Sequence, residues 1–330
     1  MNRISSPARR AALLALLSFV ATGHAQVQAQ AQDWPARTVK IVVPYPAGGG
    51  TDALARLVAE RLNKEFGQAV IVENRAGGGG NLGTELVARA PADGYTLLMG
   101  DNSMSIYQHL YPKLNYDPIK DFVAIAPVAV APILLVSAST QPYRNLGELL
   151  QGMKANPAKF DYAFGGLGTP QHLTGQLFNK RANVSFNGVP YKGSGPALQD
   201  VLSGQVGYGF FAVGSVLSHI RAGKLRGYGV ALPQRSAVAP EVPTFAEQGL
   251  QDVDSAVRYF LAAPAATPKP VVAKVAAAMA KVRQDASFVA TLEKQGVEVG
   301  RGSGDDVTKM LLREGPVWGE LIRSANIKPE

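Results

Sequence analysis

The chain has 330 residues, of which 46% are hydrophobic and 18% charged, a composition that suits about two globular domains and excludes a disordered or fibrous protein. The formal net charge is +8, yet the cations are scattered along the chain, so we expect no nucleic acid partner. The absence of cysteine excludes disulfides, thiolate catalysis and cysteine-ligated metal.

Residues 1–31 have the pattern of a secretory signal. Arg3, Arg9 and Arg10 precede the apolar run AALLALLSFV, and small residues suitable for cleavage follow between positions 25 and 31. The run is too short to span a bilayer, which takes about 20 residues; an uncleaved anchor is the alternative interpretation. We therefore expect export to the periplasm.

The chain after the signal begins with a strand, a glycine loop and a helix. Residues 39–43 (VKIVV) are mostly β-branched and apolar, which predicts a strand buried on both faces. The loop YPAGGGTD follows, and apolar residues then recur at helical spacing. Residues 69–88 repeat this order through AVIVEN and RAGGGGNLG, and a third strand, YTLLMG, comes next.

The rest of the chain continues the alternation of strands and helices. Further strands are predicted at residues 131–140, 160–166, 184–191, 206–213, 224–232 and 256–264, and helices at residues 145–156, 170–183, 268–288 and 304–325. Strands that alternate with helices imply βαβ crossovers and a mainly parallel sheet. The sequence thus predicts an α/β protein of two lobes, with ligands beyond the carboxyl ends of the strands.

The first glycine loop could bind an anion through its backbone. Gly48, Gly49 and Gly50 have no β-carbon to keep a ligand away, and a helix N-terminus offers free N–H groups. Thr51 and Asp52 could cap that helix. A phosphate loop would need Lys followed by Ser or Thr, and a dinucleotide fingerprint would need G-x-G-x-x-G, so we expect no nucleotide cofactor. A simple glycine turn is the alternative.

The segment FGGLGTPQHL at residues 164–173 is a second junction of the same kind. Thr169 is placed to cap the helix that follows, and His172 falls in its first turn. A lone histidine there is either a ligand contact or a capping and packing residue. Two such junctions that face each other could hold a carboxylate from both lobes.

Patterns typical of catalysis are weak. The histidines have no metal-binding spacing, and GLGTP lacks the serine of a nucleophile elbow. We therefore expect a protein that is not an enzyme and uses no cofactor. A periplasmic hydrolase that uses Asp52 or His172 is the enzymatic alternative.

Seven ordered stretches resemble the substrate-binding proteins of tripartite tricarboxylate transporters, the TctC or Bordetella uptake gene (Bug) family. They are WPARTVKIVVPYPAGGGTD, VIVENRAGGGGNLGTELVARAPADGYTLLMG, YDPIKDFVAIAPVA, VPYKGSGPALQDVLSGQV, HIRAGKLRGYGV, RSAVAPEVPTFAEQGL and LAAPAATP. The resemblance implies the two-lobe fold of type II periplasmic binding proteins. Residues 32–132 with 254–330 would form lobe 1, and residues 133–253 would form lobe 2.

The resemblance also implies a monomeric receptor that passes a small mono- or dicarboxylate to membrane permease subunits. A ligand-loaded partner of a signalling receptor is the alternative. The ligand would lie in the cleft between the lobes. The ligand contacts carried over from the two loops are Tyr45, Ala47, Gly48, Gly49, Gly50, Thr51, Asp52, Gly166, Gly168 and Thr169. Ser103 and Tyr191 are candidates by position, with ordinary loop or packing roles as the alternative.

This chain departs from the family pattern near the expected cleft. Relatives carry small polar residues where it has Pro170 and Gln171, and it has Arg258 and Phe260 in the segment VRYFLAAP. Arg258 could pair with a second ligand carboxylate, or it could be a surface arginine. Phe260 and Tyr259 would suit an aromatic or otherwise flat ligand.

Overall fold

The computed structural model describes residues 34–111, 113–325 and 327. The predicted signal, residues 1–31, lies outside this part of the chain. None of the helices in the described part is both long enough and apolar enough to cross a membrane.

Strands and helices alternate along most of the chain. The strands are β1 (Val39–Val43), β2 (Val70–Asn74), β3 (Thr96–Asp101), β4 (Phe122–Ala138), β5 (Asp161–Phe164), β6 (Asn187–Pro190), β7 (Tyr208–Ala212), β8 (Leu225–Val230), β9 (Ala256–Pro264) and β10 (Glu298–Val299). The α-helices are α1 (Gly50–Phe66), α2 (Asn81–Ala88), α3 (Met104–Leu110), α4 (Leu146–Ala155), α5 (Pro170–Ala182), α6 (Ser194–Ser203), α7 (Val213–Arg221), α8 (Lys269–Val282), α9 (Ala286–Lys294) and α10 (Gly304–Ser324).

Two groups of parallel strands form the centres of the lobes. In lobe 1, β1 lies between β2 and β3 and is parallel to both. In lobe 2, β5 lies between β6 and β7 and is parallel to both. The loops that follow β1, β3 and β5 therefore leave the carboxyl ends of their sheets, which is where ligands bind in such folds.

Two long strands, β4 and β9, connect the lobes. They pair with each other from Phe122 and Pro264 to Pro132 and Ala256, and from Ile133 onward β4 pairs with β7 and β8 instead. This change of partner falls at the expected lobe boundary after residue 132, although the lobe ranges themselves stay a prediction.

The sheet as a whole is mixed, although the central strands of each lobe are parallel, as expected. Within the described residues, each antiparallel pairing involves β4 or β9. The cause is the connection itself, because β4 leaves lobe 1 and β9 returns to it alongside.

Both faces of the lobe 1 sheet are covered, as the apolar sequence of β1 predicts. Ile41 packs toward α1, α8 and α9, whereas its neighbour Val42 packs toward α2, α3 and α10. Lobe 2 is built in the same way, with α4 and α5 on one face and α6 and α7 on the other.

Several predicted elements differ in extent: the strand predicted at residues 184–191, for example, covers only Asn187–Pro190, and two larger differences have a clear cause. Strand β4 begins at Phe122 rather than residue 131, and the register irregularity between Pro127 and Ala129 accommodates a proline that would otherwise argue against a central strand. The predicted helix over residues 268–288 is two helices. The helix is interrupted at Asp285, because the side chain of Asp285 accepts hydrogen bonds from the N–H groups of Ser287 and Phe288 and so caps a new helix, α9.

The lobes touch each other beside the cleft. Leu173 and Leu177 of α5 pack against Ile106 of α3 and Trp318 of α10, and all four side chains are buried. At the rim of this contact, Lys180 Nζ lies 2.6 Å from a carboxylate oxygen of Glu320. The structure therefore shows the two lobes in direct contact.

Candidate functional site

A cavity of 170 Å³ lies between the lobes at the carboxyl ends of the central strands. Its lining from lobe 1 is Tyr45, Gly79, Ser103, Ile106, Tyr107, Leu110 and Tyr111, and from lobe 2 Leu167, Gly168, Thr169 and Pro170. Of the residues predicted from the sequence, this cavity brings together Tyr45, Ser103, Gly168 and Thr169. The remaining predicted residues lie outside its lining.

The first glycine loop is held in shape by Asp52. Its Oδ2 atom accepts hydrogen bonds from the backbone N–H of Gly48 at 2.9 Å and from Arg56 Nε at 3.0 Å. The N-cap residue of α1 is Gly49, which has no side chain to cap the helix. Asp52, in the first turn, instead stabilises the loop by accepting the hydrogen bond from Gly48. These hydrogen bonds lower the pKa of Asp52, the bond from Arg56 most, and the carboxylate stays ionised.

The same loop leaves backbone donors for an anion. The first intrahelical hydrogen bond runs from Ala53 N–H to the Gly49 carbonyl, so the N–H groups of Gly50 and Thr51 have no partner within the helix. Ala47 and the neighbouring glycines are exposed. The positive end of α1 is therefore open to solvent.

Asp101 organises the wall of the cavity in lobe 1. Its carboxylate accepts hydrogen bonds from Tyr45 Oη at 2.7 Å and from the backbone N–H of Ser103 at 2.8 Å, and the residue is only 5% exposed. Burial, followed by the charge of Asp101, raises the pKa of Tyr45 well above its usual value. Tyr45 therefore remains a protonated donor, and its ring faces the cavity in a fixed position.

The loop of four glycines after β2 is fastened to α3 by two tyrosines. Tyr107 Oη donates to the Gly79 carbonyl at 3.1 Å, and Tyr111 Oη donates to the Gly78 carbonyl at 2.6 Å. Gly78 and Gly79 have φ angles of 54° and 57°, a conformation that favours glycine. Sequence reasoning missed both tyrosines, although Tyr107 in α3 and Tyr111 directly after it are four residues apart, the spacing of one helix face.

The second glycine loop is closed by Thr169 and His172. Thr169 Oγ1 donates to the Gly166 carbonyl at 2.7 Å, and His172 Nδ1 accepts from the N–H of Gly168 at 3.1 Å. Gly166 and Gly168 have φ angles of 145° and 71°. The imidazole stacks on Phe164 with ring centroids 4.4 Å apart.

His172 is therefore a buried acceptor that fixes the loop. Burial lowers its pKa to about 4, so the ring is neutral near pH 7. Of the two interpretations from the sequence, capping and packing describes these contacts. The side chain of Tyr191 likewise points into its own lobe, where its hydroxyl donates to Asp200 at 2.6 Å. Burial, and then the interaction with Asp200, raise the pKa of Tyr191 to about 12.

The structure corrects the expectations for Arg258 and Phe260. Phe260 is 1% exposed, and its ring packs near Gly100 in the core between the sheet and α10. The guanidinium of Arg258 donates to Asp254 at 2.6 Å and to Glu314 at 3.2 Å. Neither side chain lines the cleft cavity. Because both belong to one face of β9, Tyr259 between them lies on the other face.

Tyr259 packs against the cores of both lobes. Burial, followed by the charge of Asp101, raises its pKa to about 12. It is the aromatic residue of β9 on the face opposite Phe260, and like Phe260 it is outside the lining of the cleft cavity.

A larger cavity of 330 Å³ lies at the outer side of the connecting strands, between β9, β10 and α10. Its lining contains no residue of the loops that follow β1, β3 and β5. We therefore assign the candidate site to the smaller cavity, where these loops converge. Within the described residues, no cluster of acidic and histidine side chains is arranged to hold a metal ion.

Comparison with known proteins gives concordant matches. Residues 54–327 match the family model of the tripartite tricarboxylate transporter family receptor. The protein BugT of Bordetella pertussis is 33% identical over 319 residues, which cover 96% of this chain and 98% of BugT.

Solved structures are similar over nearly the whole chain. The structure of Rpa4515 of R. palustris with adipate has a TM-score of 0.77 at 33% identity, covering 90% of this chain and 100% of that one. MatC of Rhodopseudomonas palustris with bound malate has a TM-score of 0.73 at 33% identity, covering 88% and 100%.

Proposed function

Because the chain belongs to the tripartite tricarboxylate transporter receptor family, we propose that it is a periplasmic receptor for a small organic carboxylate, which it delivers to a membrane permease. The family consists of solute-binding proteins, and two structural relatives hold adipate and malate. The observation that carries the proposal is the cavity between the lobes, in which Tyr45 and Ser103 face Gly168 and Thr169.

The chemistry of the cavity suits an anion bound without a cationic side chain. Within the described residues, its lining contains no lysine, arginine or histidine. Helix α5 begins at the cavity, and Tyr45 of the lining leads into the loop before α1, so backbone N–H groups and helix dipoles would supply the positive potential. A carboxylate has the acceptor geometry to use such donors.

The remaining lining suits a hydrocarbon or flat ligand body. Ile106, Leu110 and Leu167 supply apolar surface, and the rings of Tyr107 and Tyr111 supply flat faces. Because residues of both lobes line one small cavity, ligand capture would require the lobes to move about the strands β4 and β9. A closed, loaded protein is the form that the permease would recognise.

Calorimetry on the mature protein tests the binding step. The panel contains malate, adipate, benzoate and further mono- and dicarboxylates, each paired with its uncharged amide as a matched control. We expect one-to-one binding of at least one acid and no binding of its amide. Failure of every acid to bind, or equal binding of acid and amide, would overturn the proposal.

Two further measurements separate the receptor from its alternatives. NMR of the bound acid after prolonged incubation should show unchanged ligand, because no catalytic constellation surrounds the cavity; turnover would instead indicate an enzyme. Uptake of the labelled acid should stop in cells that lack this chain and return when it is restored. Normal uptake in its absence would contradict delivery to a permease.

A further inference from the structure

The side chain of Asn102 links the cleft to β9, the second of the two strands that connect the lobes. Asn102 is in the short loop of residues 102–103 between β3 and α3, which shapes the cavity, and it is 4% exposed. Its Nδ2 donates to the Ala256 carbonyl at 3.0 Å and to Glu314 Oε2 at 2.9 Å. Its Oδ1 accepts from the backbone N–H of Arg258 at 3.1 Å. The cavity loop is thus bonded directly to the start of β9.

Arg258 bridges two carboxylates at this point. Its Nη1 donates to Glu314 of α10 at 3.2 Å, and its Nη2 donates to Asp254 at 2.6 Å. The arginine side chain is 17% exposed. Asp254 belongs to residues 254–256, which we call the hinge segment because they lead from lobe 2 into β9. Arg258 therefore fixes the hinge segment to lobe 1.

The hinge segment is also bonded to the ligand loop of lobe 2. The hydroxyls of Ser255 and Thr174 lie 2.7 Å apart, and both residues are almost fully buried. Thr174 is in α5, the helix whose N-terminus carries Gly168 and Thr169. The hinge segment is therefore hydrogen-bonded to both halves of the cleft: Ala256 to Asn102 of lobe 1, and Ser255 to Thr174 of lobe 2.

A buried arrangement of this type favours one geometry. Burying charges costs about as much as their mutual attraction returns, so such pairs add little net stability. A displacement that separates the guanidinium from a carboxylate would leave a largely buried charge without its partner, which is unfavourable. The contacts around Arg258 therefore restrict the position of the hinge segment more than they stabilise the fold.

We propose that Arg258 is a positioning residue that sets the angle between the lobes. Its bridge from Asp254 to Glu314 fixes the hinge segment, and the Ser255–Thr174 contact transmits that position to the second glycine loop. The significance of this for ligand binding rests on the proposed function. The effect on the angle between the lobes does not, because it concerns the protein without ligand.

The experiment compares Arg258→Met with a matched control, Arg61→Met. Arg61 is also 17% exposed at its side chain, and it pairs with Asp285 at 3.7 Å within lobe 1. The chain has no cysteine, so the exposed residues Gln68 and Lys154 can be replaced by cysteine and spin-labelled, one in each lobe. Pulsed electron paramagnetic resonance then gives the distribution of distances between the lobes. Asp254→Asn removes only the negative charge on the hinge side of the bridge and serves as the milder variant.

We expect Arg258→Met and, to a smaller extent, Asp254→Asn to broaden or shift the distance distribution of the ligand-free protein. Arg61→Met should leave it unchanged at a similar loss of thermal stability. For malate or adipate, whichever the wild type binds, affinity should fall about tenfold in Arg258→Met and stay constant in Arg61→Met.

A wild-type distribution in both Arg258→Met and Asp254→Asn would overturn the inference, as would an equal change in Arg61→Met. If Arg258→Met does not fold, Asp254→Asn alone decides. If the wild type binds no carboxylate, the proposed function fails, while the distance distributions still test the role of Arg258.

Discussion

His172 Nδ1 accepts a hydrogen bond from the backbone N–H of Gly168, four residues earlier, at 3.1 Å. The acceptor must be unprotonated for this bond to exist. Burial lowers the pKa of His172 from 6.5 to about 4, so the bond is intact at neutral pH. The conformation of the second glycine loop is thereby linked to a buried titratable group.

Acid should weaken the fold through this histidine. Between pH 6.5 and pH 4 the unfolded chain binds a proton at His172 that the folded chain does not. The stability contributed by His172 is complete above pH 6.5 and decreases by up to about 3 kcal/mol as the pH falls toward 4. Urea unfolding from pH 7 to pH 4 should therefore show a flatter pH dependence in His172→Asn, which keeps an acceptor but does not titrate. An equal slope in both proteins would contradict this.

Removal of the Asp52 side chain should loosen the first glycine loop. Asp52→Ala loses the acceptor for Gly48 N–H and the partner of Arg56, and we expect a loss of about 1 kcal/mol in the free energy of unfolding. Because the pKa of Asp52 is lowered in the folded protein, this difference from the wild type should shrink as the pH falls through that pKa. Glu60→Ala is the control, since its pair with Lys64 is exposed and should change stability by less than about 0.5 kcal/mol. Equal losses in both variants would refute a special role for Asp52.

The sequence predicts those parts of the fold that depend on local periodicity. Four of the five residues of β1 are apolar and they cover both faces, and the nine residues of β9 read as one strand, so the sequence predicts both strands with their observed bounds. Helix α6 was not predicted, because its segment contains serine, glycine and proline at its start, which are weak helix signals.

The candidate site was predictable only in part, for two physical reasons. The loops after β1 and β5 can be recognised in the sequence by their glycines. The hydrogen bonds of Asn102 with Arg258 and Glu314 cannot be, because they join residues 156 and 212 positions apart. In addition, neighbouring residues of a strand face opposite sides. The sequence locates the aromatic segment of β9 but does not decide which face of the sheet Tyr259 and Phe260 each take.

The hydroxyl of Tyr111 should matter for ligand affinity more than for folding. Tyr111→Phe removes the donor to the Gly78 carbonyl and frees the four-glycine loop beside the cavity. A lost hydrogen bond of this kind is worth about 1 kcal/mol, so affinity for the bound carboxylate should fall about fivefold. Tyr208→Phe is the matched control, because its hydroxyl is buried without a partner in the described structure and its removal should be neutral or stabilising. Equal affinities of Tyr111→Phe and the wild type would show that the loop is not part of the site.

Gly49 offers a test of the first loop that is free of backbone strain. Its φ angle is −79°, and a β-carbon there would meet only the Pro46 carbonyl at 3.6 Å, so Gly49→Leu should fold normally. Its side chain would nevertheless stand over the N-terminus of α1 and obstruct an approaching carboxylate, and we expect affinity to fall at least about tenfold. Gly207→Leu is the control, because its β-carbon has only an ordinary contact with Gln141 at 3.7 Å and it precedes β7 at the end away from the cleft. Calorimetry and thermal unfolding of both variants separate binding from stability. Wild-type affinity in Gly49→Leu would exclude this loop from the ligand site and leave the cavity between Tyr45 and Thr169 as the whole of it.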